Sequence, residues 1–400
     1  MTEELEQALR RTFAEAADRA PKAPPGIGLE ARPARRTRAY PRVAMAAAAV
    51  AIAIGGATLG GRALLTGTHA SGTARTAASP ALHRLTKTDV PPMAKVWPQA
   101  IHRVADTLPN GRKFLPLTFL DGHTLLVNTE SSFEKADALY AYDLRRHTTK
   151  QITTVVTPPK TKLFASGFAT GGGYVAWYLA GDYGTEIWAA PLSGGKARLV
   201  SRSDTPVPTA LAIDGGKVLW SVSKTGGVFR APVTGGTAEE VPDTRGAYIL
   251  QWPWVGSPPA VRDGKVGVTG FANVRNVTTG ETRTARLTDR ASWNCGPTWC
   301  VGRDSHFVSE AQRRDGSGRH AIPDIEAVSS TPPSLDRFVI TFPAKGAIAV
   351  YDLRTGKAGD LGIKQQAKDS FTFRLPEDPA NRLYYTMTDG GYVIVDLGAI

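Results

Sequence analysis

Only two cysteines, four methionines and seven histidines occur in this 400-residue chain, and these scarcities exclude much of the chemistry a chain of this length could host. His69, His83, His102, His123, His147, His306 and His320 are scattered and form no HxH, HxxH or HExxH pattern, so zinc chemistry has no ligand set. GxSxG, GxxxxGK[ST], calcium-loop and Ser-x-Asp-x-Gly motifs are absent as well, which removes the usual signatures of a serine hydrolase, a P-loop enzyme and a sialidase-like propeller. No cofactor is expected. Cys295 and Cys300 flank Gly296-Pro297 in WNCGPTWCVG, and that spacing predicts a disulfide across a short hairpin in an oxidising compartment.

The net charge of +12 invites a nucleic-acid reading, but its distribution argues against one. Residues 1–42 carry nine Lys and Arg against six Asp and Glu, residues 43–110 carry six against two, and residues 111–400 carry 33 against 28. The large C-terminal part is nearly balanced, so no phosphate-tracking groove and no nucleic-acid partner are predicted.

Long apolar runs are lacking too, with one exception. Val43 to Gly61 holds no charged residue, and five arginines precede it: Arg32, Arg35, Arg36, Arg38 and Arg42. Nineteen residues rising about 1.5 Å each make about 28 Å of helix, close to the hydrocarbon thickness of a bilayer. Arginines on one flank keep that side in the cytoplasm. A buried core helix and a cleaved secretory signal are the rival readings of the run. The expected organisation is a cytoplasmic tail (1–42), a transmembrane anchor (43–65), an extracytoplasmic linker (66–99) and a main domain (100–400).

The tail reads as a helix over 2–20 followed by a linker rich in Pro and Arg. Leu5, Leu9 and Phe13 recur every four residues and form one apolar stripe, suited either to the membrane surface or to docking a cytoplasmic partner.

From about residue 100 the chain repeats. A strand ending in Asp, Pro or Asn, then Leu or Val, then a turn, recurs at Asp143, Pro191, Pro232, Asn276, Asp352 and Asp396, with spacings of 48, 41, 44, 76 and 44. The spacing of 76 holds two units, with a divergent copy in SHFVSEAQRRDGSGRHAI (305–322). A second marker, a turn followed by an apolar strand, appears at Asp121-Gly122, Gly172-Gly173, Gly215-Gly216, Asp263-Gly264, Cys295-Gly296-Pro297, Asp336-Arg337 and Asn381-Arg382. A period near 42 with several short strands per unit predicts an all-β fold, a β-propeller of seven blades, with six or eight as the alternatives. The sequence ends just after the third strand of its last unit. A segment within Ala100–Asp106 is therefore expected to supply that blade's outermost strand.

These repeats resemble the TolB-like and WD40-like propellers found outside the cytoplasm of bacteria, although the Gly-His and Trp-Asp signatures of WD40 blades are missing. The layout, together with TEELEQALRRTFAEAADRAP, resembles actinobacterial single-pass membrane proteins, some of them associated with sigma factors. The resemblance implies a membrane-anchored extracytoplasmic propeller that binds or senses a ligand and has a tail for a regulatory partner such as a sigma factor. A propeller hydrolase or lactonase, and an envelope scaffold, are the alternatives. Trp252 and Trp254, in a segment broken by prolines, are the candidates for ligand contact, with a structural plug as the other reading of the pair. The ligand itself is not specified by any motif.

Overall fold

The computed structural model describes residues 90–400 apart from 133–134, 158–163, 182–183, 205–206, 259–268, 288–291, 304–307, 324–330, 342–347, 363–372, 375–379, 381 and 389. Within them the chain forms seven antiparallel sheets, six of four strands and one of three, arranged as a seven-blade β-propeller.

Strand β1 (Ile101–Ala105) comes first in sequence but belongs to the last blade. Blade 1 is β2 (Phe114–Phe119), β3 (Thr124–Ser132), β4 (Lys135–Asp143) and β5 (Thr148–Thr154). Blade 2 is β6 (Phe164–Gly171), β7 (Tyr174–Gly181), β8 (Gly184–Pro191) and β9 (Arg198–Ser203). Blade 3 is β10 (Pro208–Asp214), β11 (Lys217–Val222), β12 (Val228–Pro232) and β13 (Glu239–Glu240). Blade 4 is β14 (Tyr248–Gln251), β15 (Trp254–Gly256), β16 (Asn273–Asn276) and β17 (Thr282–Thr284). Blade 5 is β18 (Ser292–Cys295), β19 (Trp299–Arg303), β20 (Ser309–Arg313) and β21 (His320–Ala321). Blade 6 is β22 (Phe338–Thr341), β23 (Ala349–Asp352) and β24 (Ala358–Asp360), which by their repeat markers Asp336-Arg337 and Asp352 match the second, third and fourth strands of the other blades. Blade 7 is β25 (Phe373–Arg374), β26 (Leu383–Thr388) and β27 (Gly391–Asp396), and β1 is its outermost strand.

The seam therefore closes as the repeat count requires. β1 pairs antiparallel with β27, Ile101 opposite Val395 and Ala105 opposite Gly391. An unclosed blade would leave a row of backbone donors and acceptors without partners, and β1 covers it.

Alternation along the strands puts apolar side chains on both sheet faces, and each face packs on the next blade. Val104, Phe114, Tyr142, Tyr392 and Ile394 join blade 7 to blade 1. Leu126, Leu139, Val175 and Trp177 join blades 1 and 2. Trp177 and Trp293 are fully buried, so their indoles are blade-packing groups. The glycine pairs of two hairpins have a conformational reason. Gly172 and Gly173 have φ of +54° and +81°, and Gly215 and Gly216 have +53° and +71°. Two successive positive values match a tight turn whose twist suits antiparallel strands.

The expected register is corrected in blade 4. Its second strand does not follow Asp263-Gly264, because β15 starts at Trp254 and the turn before it is Trp252-Pro253. The Asp263-Gly264 pair lies outside the described residues, in the connection between β15 and β16. The start of the propeller also moves. Residues 90–99, expected to be linker, pack on blades 6 and 7. Pro92 bridges to Asp360, the short helix α1 (Met93–Val96) follows, and Met93 and Trp97 are buried.

Among the described residues no helix is long and apolar enough to cross a membrane. The uncharged run, the five arginines and the stripe Leu5/Leu9/Phe13 lie outside the described residues, as do the tail helix and the rest of the linker before residue 90.

Candidate functional site

Strands alternate in direction, so in every blade the turn between strands one and two and the turn between strands three and four emerge on the same side of the ring. This turn face carries most of the sequence-predicted positions that the structure describes.

The recurring Asp or Asn at the end of the third strand turns out to cap the turn that follows. Asp143 Oδ1 accepts from the backbone N–H groups of Arg145 and Arg146 at 2.8 and 3.0 Å. Asn276 Oδ1 accepts from Thr278 and Thr279 at 3.0 and 3.1 Å. Asp352 Oδ1 accepts from Arg354 N at 2.9 Å, and Asp396 Oδ1 from Gly398 N at 2.8 Å. A short side chain with an oxygen is what such a turn requires. Blades 2 and 3 use proline instead, and the turn closes through backbone, Gly194 N to Pro191 O at 3.0 Å and Gly235 N to Pro232 O at 2.9 Å.

In blades 6 and 7 the same carboxylate also holds an arginine from the neighbouring turn. Arg337 donates from Nε to Asp352 Oδ1 at 2.9 Å and from Nη2 to Oδ2 at 2.8 Å. Arg382 Nη2 donates to Asp396 Oδ2 at 3.0 Å. The two acids respond differently. Burial pushes the Asp352 carboxyl up, but the bonds from Arg337, Thr355 and Arg354 outweigh it and hold it below the usual carboxylate range. Burial wins at Asp396, which is raised although Arg382 opposes the shift. Burial also lowers the nearby His102, against the pull of Asp396.

Blade 5 departs from the repeat in an informative way. Arg313 stands opposite Trp299 at the end of the third strand, and Arg314 follows where other blades place Leu or Val. Arg314 is buried and donates to four backbone carbonyls, of Gly296 at 2.7 Å, Ala272 at 2.9 Å, Arg283 at 3.3 Å and Phe271 at 2.5 Å. Desolvation pushes its pKa down to about 10. Asp336 Oδ1 accepts from Thr298 N and Trp299 N at 2.9 and 3.1 Å, and burial raises its carboxyl. These two residues stitch blades 4, 5 and 6 together.

The ligand-contact candidates lie on the same face. Trp252 Nε1 donates to Asp214 Oδ2 of blade 3 at 3.0 Å. The Trp254 ring lies 4.5 Å under the Arg283 guanidinium. Both rings are half-buried and engaged by neighbours. Cys295 and Cys300 face each other across β18 and β19 and form the disulfide.

Two features of the site were not read from sequence, the Arg314 network and a run of exposed cations around part of the turn face. Among the described residues no three His, Cys, Asp or Glu side chains form a group that could hold a metal ion. A cavity of about 120 Å³ lies between blades 6 and 7, lined mainly by apolar groups including Met93, Ile101, Tyr384, Val393 and Val395. It is smaller than the roughly 300–1,000 Å³ of typical small-molecule sites.

No protein family and no characterised protein matches the sequence. Solved structures resemble the chain in architecture. YCF48 bound to the D1 peptide has 10% identity and a TM-score of 0.43, covering 74% of this chain and 95% of that one. Oligogalacturonate lyase from Vibrio parahaemolyticus has 11% identity and a TM-score of 0.45, covering 74% and 90%. TolB from Agrobacterium tumefaciens has 15% identity and a TM-score of 0.33, covering 56% and 88%.

Proposed function

We propose that the chain is a membrane-anchored propeller outside the cytoplasm, acting as a binding or sensing module, with a cytoplasmic tail that docks a regulatory partner such as a sigma factor. The observation that carries this reading is the uncharged run Val43–Gly61 behind five arginines, in a chain whose only two cysteines are joined as a disulfide. The run has the length of a bilayer span and the arginines set its orientation. A disulfide suits an oxidising compartment. The propeller then serves as the outer recognition platform, with Trp252 and Trp254 on its turn face as ligand contacts. The Leu5/Leu9/Phe13 stripe is the inner docking element.

The inner arm is tested by capture. Full-length chain in detergent, carrying either the native tail or Leu9→Glu with Phe13→Glu, is immobilised and exposed to cytoplasmic extract. A sigma factor retained by the native tail and lost from the double variant is the expected outcome. Equal retention on both, or none, contradicts the docking stripe.

A further inference from the structure

We propose that the turn face of blades 6, 7, 1 and 2 docks on an anionic phospholipid surface; this inference rests on the reading of the chain as membrane-anchored. Six exposed cations line the face or its rim along this arc: Arg354 and Lys357 in blade 6, Arg145 and Lys150 in blade 1, and Lys196 and Arg198 in blade 2. Their side chains have no ion-pair or hydrogen-bond partner among the described residues.

Three carboxylates of the same arc are paired with arginines, and Asp121, half-exposed, lies 3.2 Å from His123. Asp352 is held by Arg337 and Asp396 by Arg382. Asp143 caps its turn and lies 3.8 Å from Arg146, and Asp121 accepts from the backbone of His123 and Thr124. The remaining arc is built differently. In blade 3, Glu239 binds both Lys217 and Arg230, and in blade 4, Glu281 binds Arg283. In blade 5, Asp315 adds an exposed acid and the Arg313 guanidinium lies over the Trp299 ring. One side of the turn face is thus an unneutralised basic crescent, and the other is internally balanced.

Among the described residues blade 7 adds no unpaired cation to this face; it stands between the basic turns of blades 6 and 1, with its Arg382 held by Asp396. Arg382 of blade 7 donates to the Asp121 carbonyl of blade 1 at 2.5 Å. Gly195 N of blade 2 donates to Ile152 O of blade 1 at 3.0 Å, which brings the Lys196 turn beside the strand bearing Lys150.

Where the chain joins the propeller favours a lipid surface as the occupant. Pro92 bridges parallel to Asp360, and β24 runs away from the turn face, so residues 90–92 run away from it too. Residues 90–92 therefore enter from the turn-face side of the seam between blades 6 and 7. The 28 residues between Gly61 and Val90 can span at most about 95 Å, so an anchor at Val43–Gly61 would keep the propeller within reach of the bilayer. A tethered surface is met at high effective concentration. Clustered Lys and Arg beside anionic headgroups then select which face turns towards the membrane, over a range set by the Debye length.

Side-chain footprinting of the full-length chain tests this. The chain is reconstituted in nanodiscs of phosphatidylcholine alone, or of phosphatidylcholine and phosphatidylglycerol at 7:3, and exposed lysines are acylated and quantified by mass spectrometry. Lys150, Lys196 and Lys357 should react at least threefold more slowly on the anionic discs. Lys113, which is 80% exposed and precedes β2 on the other face, should be unchanged. The slowing should disappear at 0.5 M NaCl and in the triple variant Arg145→Glu, Arg198→Glu, Arg354→Glu, which keeps the three reporting lysines. Equal rates on the two lipids, or equal slowing at Lys113, overturn the proposal. Alkaline carbonate extraction of the same chain decides the anchor separately. Release by carbonate refutes the anchor, and the lipid dependence of the three lysines still decides the docking face.

Discussion

Val104→Asp is expected to lower the free energy of unfolding of the propeller by about 4 kcal/mol, whereas Arg103→Ser, one residue away, should change it by no more than about 0.5 kcal/mol. Val104 is 7% exposed and stands opposite Tyr392 on β27. Its side chain belongs to the cluster containing Phe114 of blade 1 and Ile394 of blade 7. Tyr392 in turn donates its hydroxyl to the Phe114 carbonyl, so the strand that β1 covers is also tied to blade 1. A carboxylate at position 104 would have to be buried without a partner or expelled, and expulsion would pull β1 off β27. Arg103 points to solvent on the same strand and controls for the change in sequence. Urea unfolding of the full-length chain measures both. Equal, small effects would mean that β1 does not close the ring.

Asp352→Asn is expected to cost about 3 kcal/mol at pH 7, and Asp396→Asn less than half of that. The positions are equivalent in the repeat but their environments are not. The Asp352 side chain is wholly buried and takes both guanidinium bonds of Arg337, the Arg354 amide and the Thr355 hydroxyl. Replacing it leaves the half-buried Arg337 without its charge partner. The folded-state pKa of Asp352 lies below its unfolded value, so its contribution is full above the unfolded pKa and is lost as pH falls through the folded one. The difference between wild type and Asp352→Asn should therefore shrink on acidification below about pH 4. Asp396 has the opposite sign. Its folded pKa is raised, so ionisation at neutral pH already costs the folded state, and asparagine removes that cost while losing Arg382. Unfolding at pH 7 and pH 3.5 reads both. A pH-independent loss at Asp352 would contradict the charge account.

Much of the ring was legible because its markers are local. A capping oxygen at the end of the third strand and a tight turn before the second are each dictated by a few neighbouring backbone groups, so they recur visibly. The closing strand followed from counting: a last unit with three strands needs a fourth, and Ile101–Ala105 supplies it. The failures have equally local causes. In blade 4, the turn Trp252-Pro253 has none of the Gly, Asp or Asn that marks it in other blades, and β15 has only three residues, so the stronger Asp263-Gly264 signal misled the register. In blade 5, the position of the apolar residue that marks the repeat is taken by Arg314, tolerable because four carbonyls surround it. Helix α1 has four residues between Pro92 and Pro98, too short for any periodicity. The basic crescent was hidden for another reason. Residues 111–400 are nearly neutral when counted along the chain, and the imbalance emerges only when blades 6, 7, 1 and 2 are placed side by side.

The side of the membrane on which the propeller lies is the central claim, and paired reporter fusions after Ile400 test it most directly. Alkaline phosphatase, which needs an oxidising compartment to form its disulfides, should be active in that fusion, and a green fluorescent protein that folds only in the cytoplasm should be dark. Deleting Val43–Gly61 should reverse both signals. A fluorescent, phosphatase-negative fusion of the intact chain would place the propeller in the cytoplasm and contradict the account.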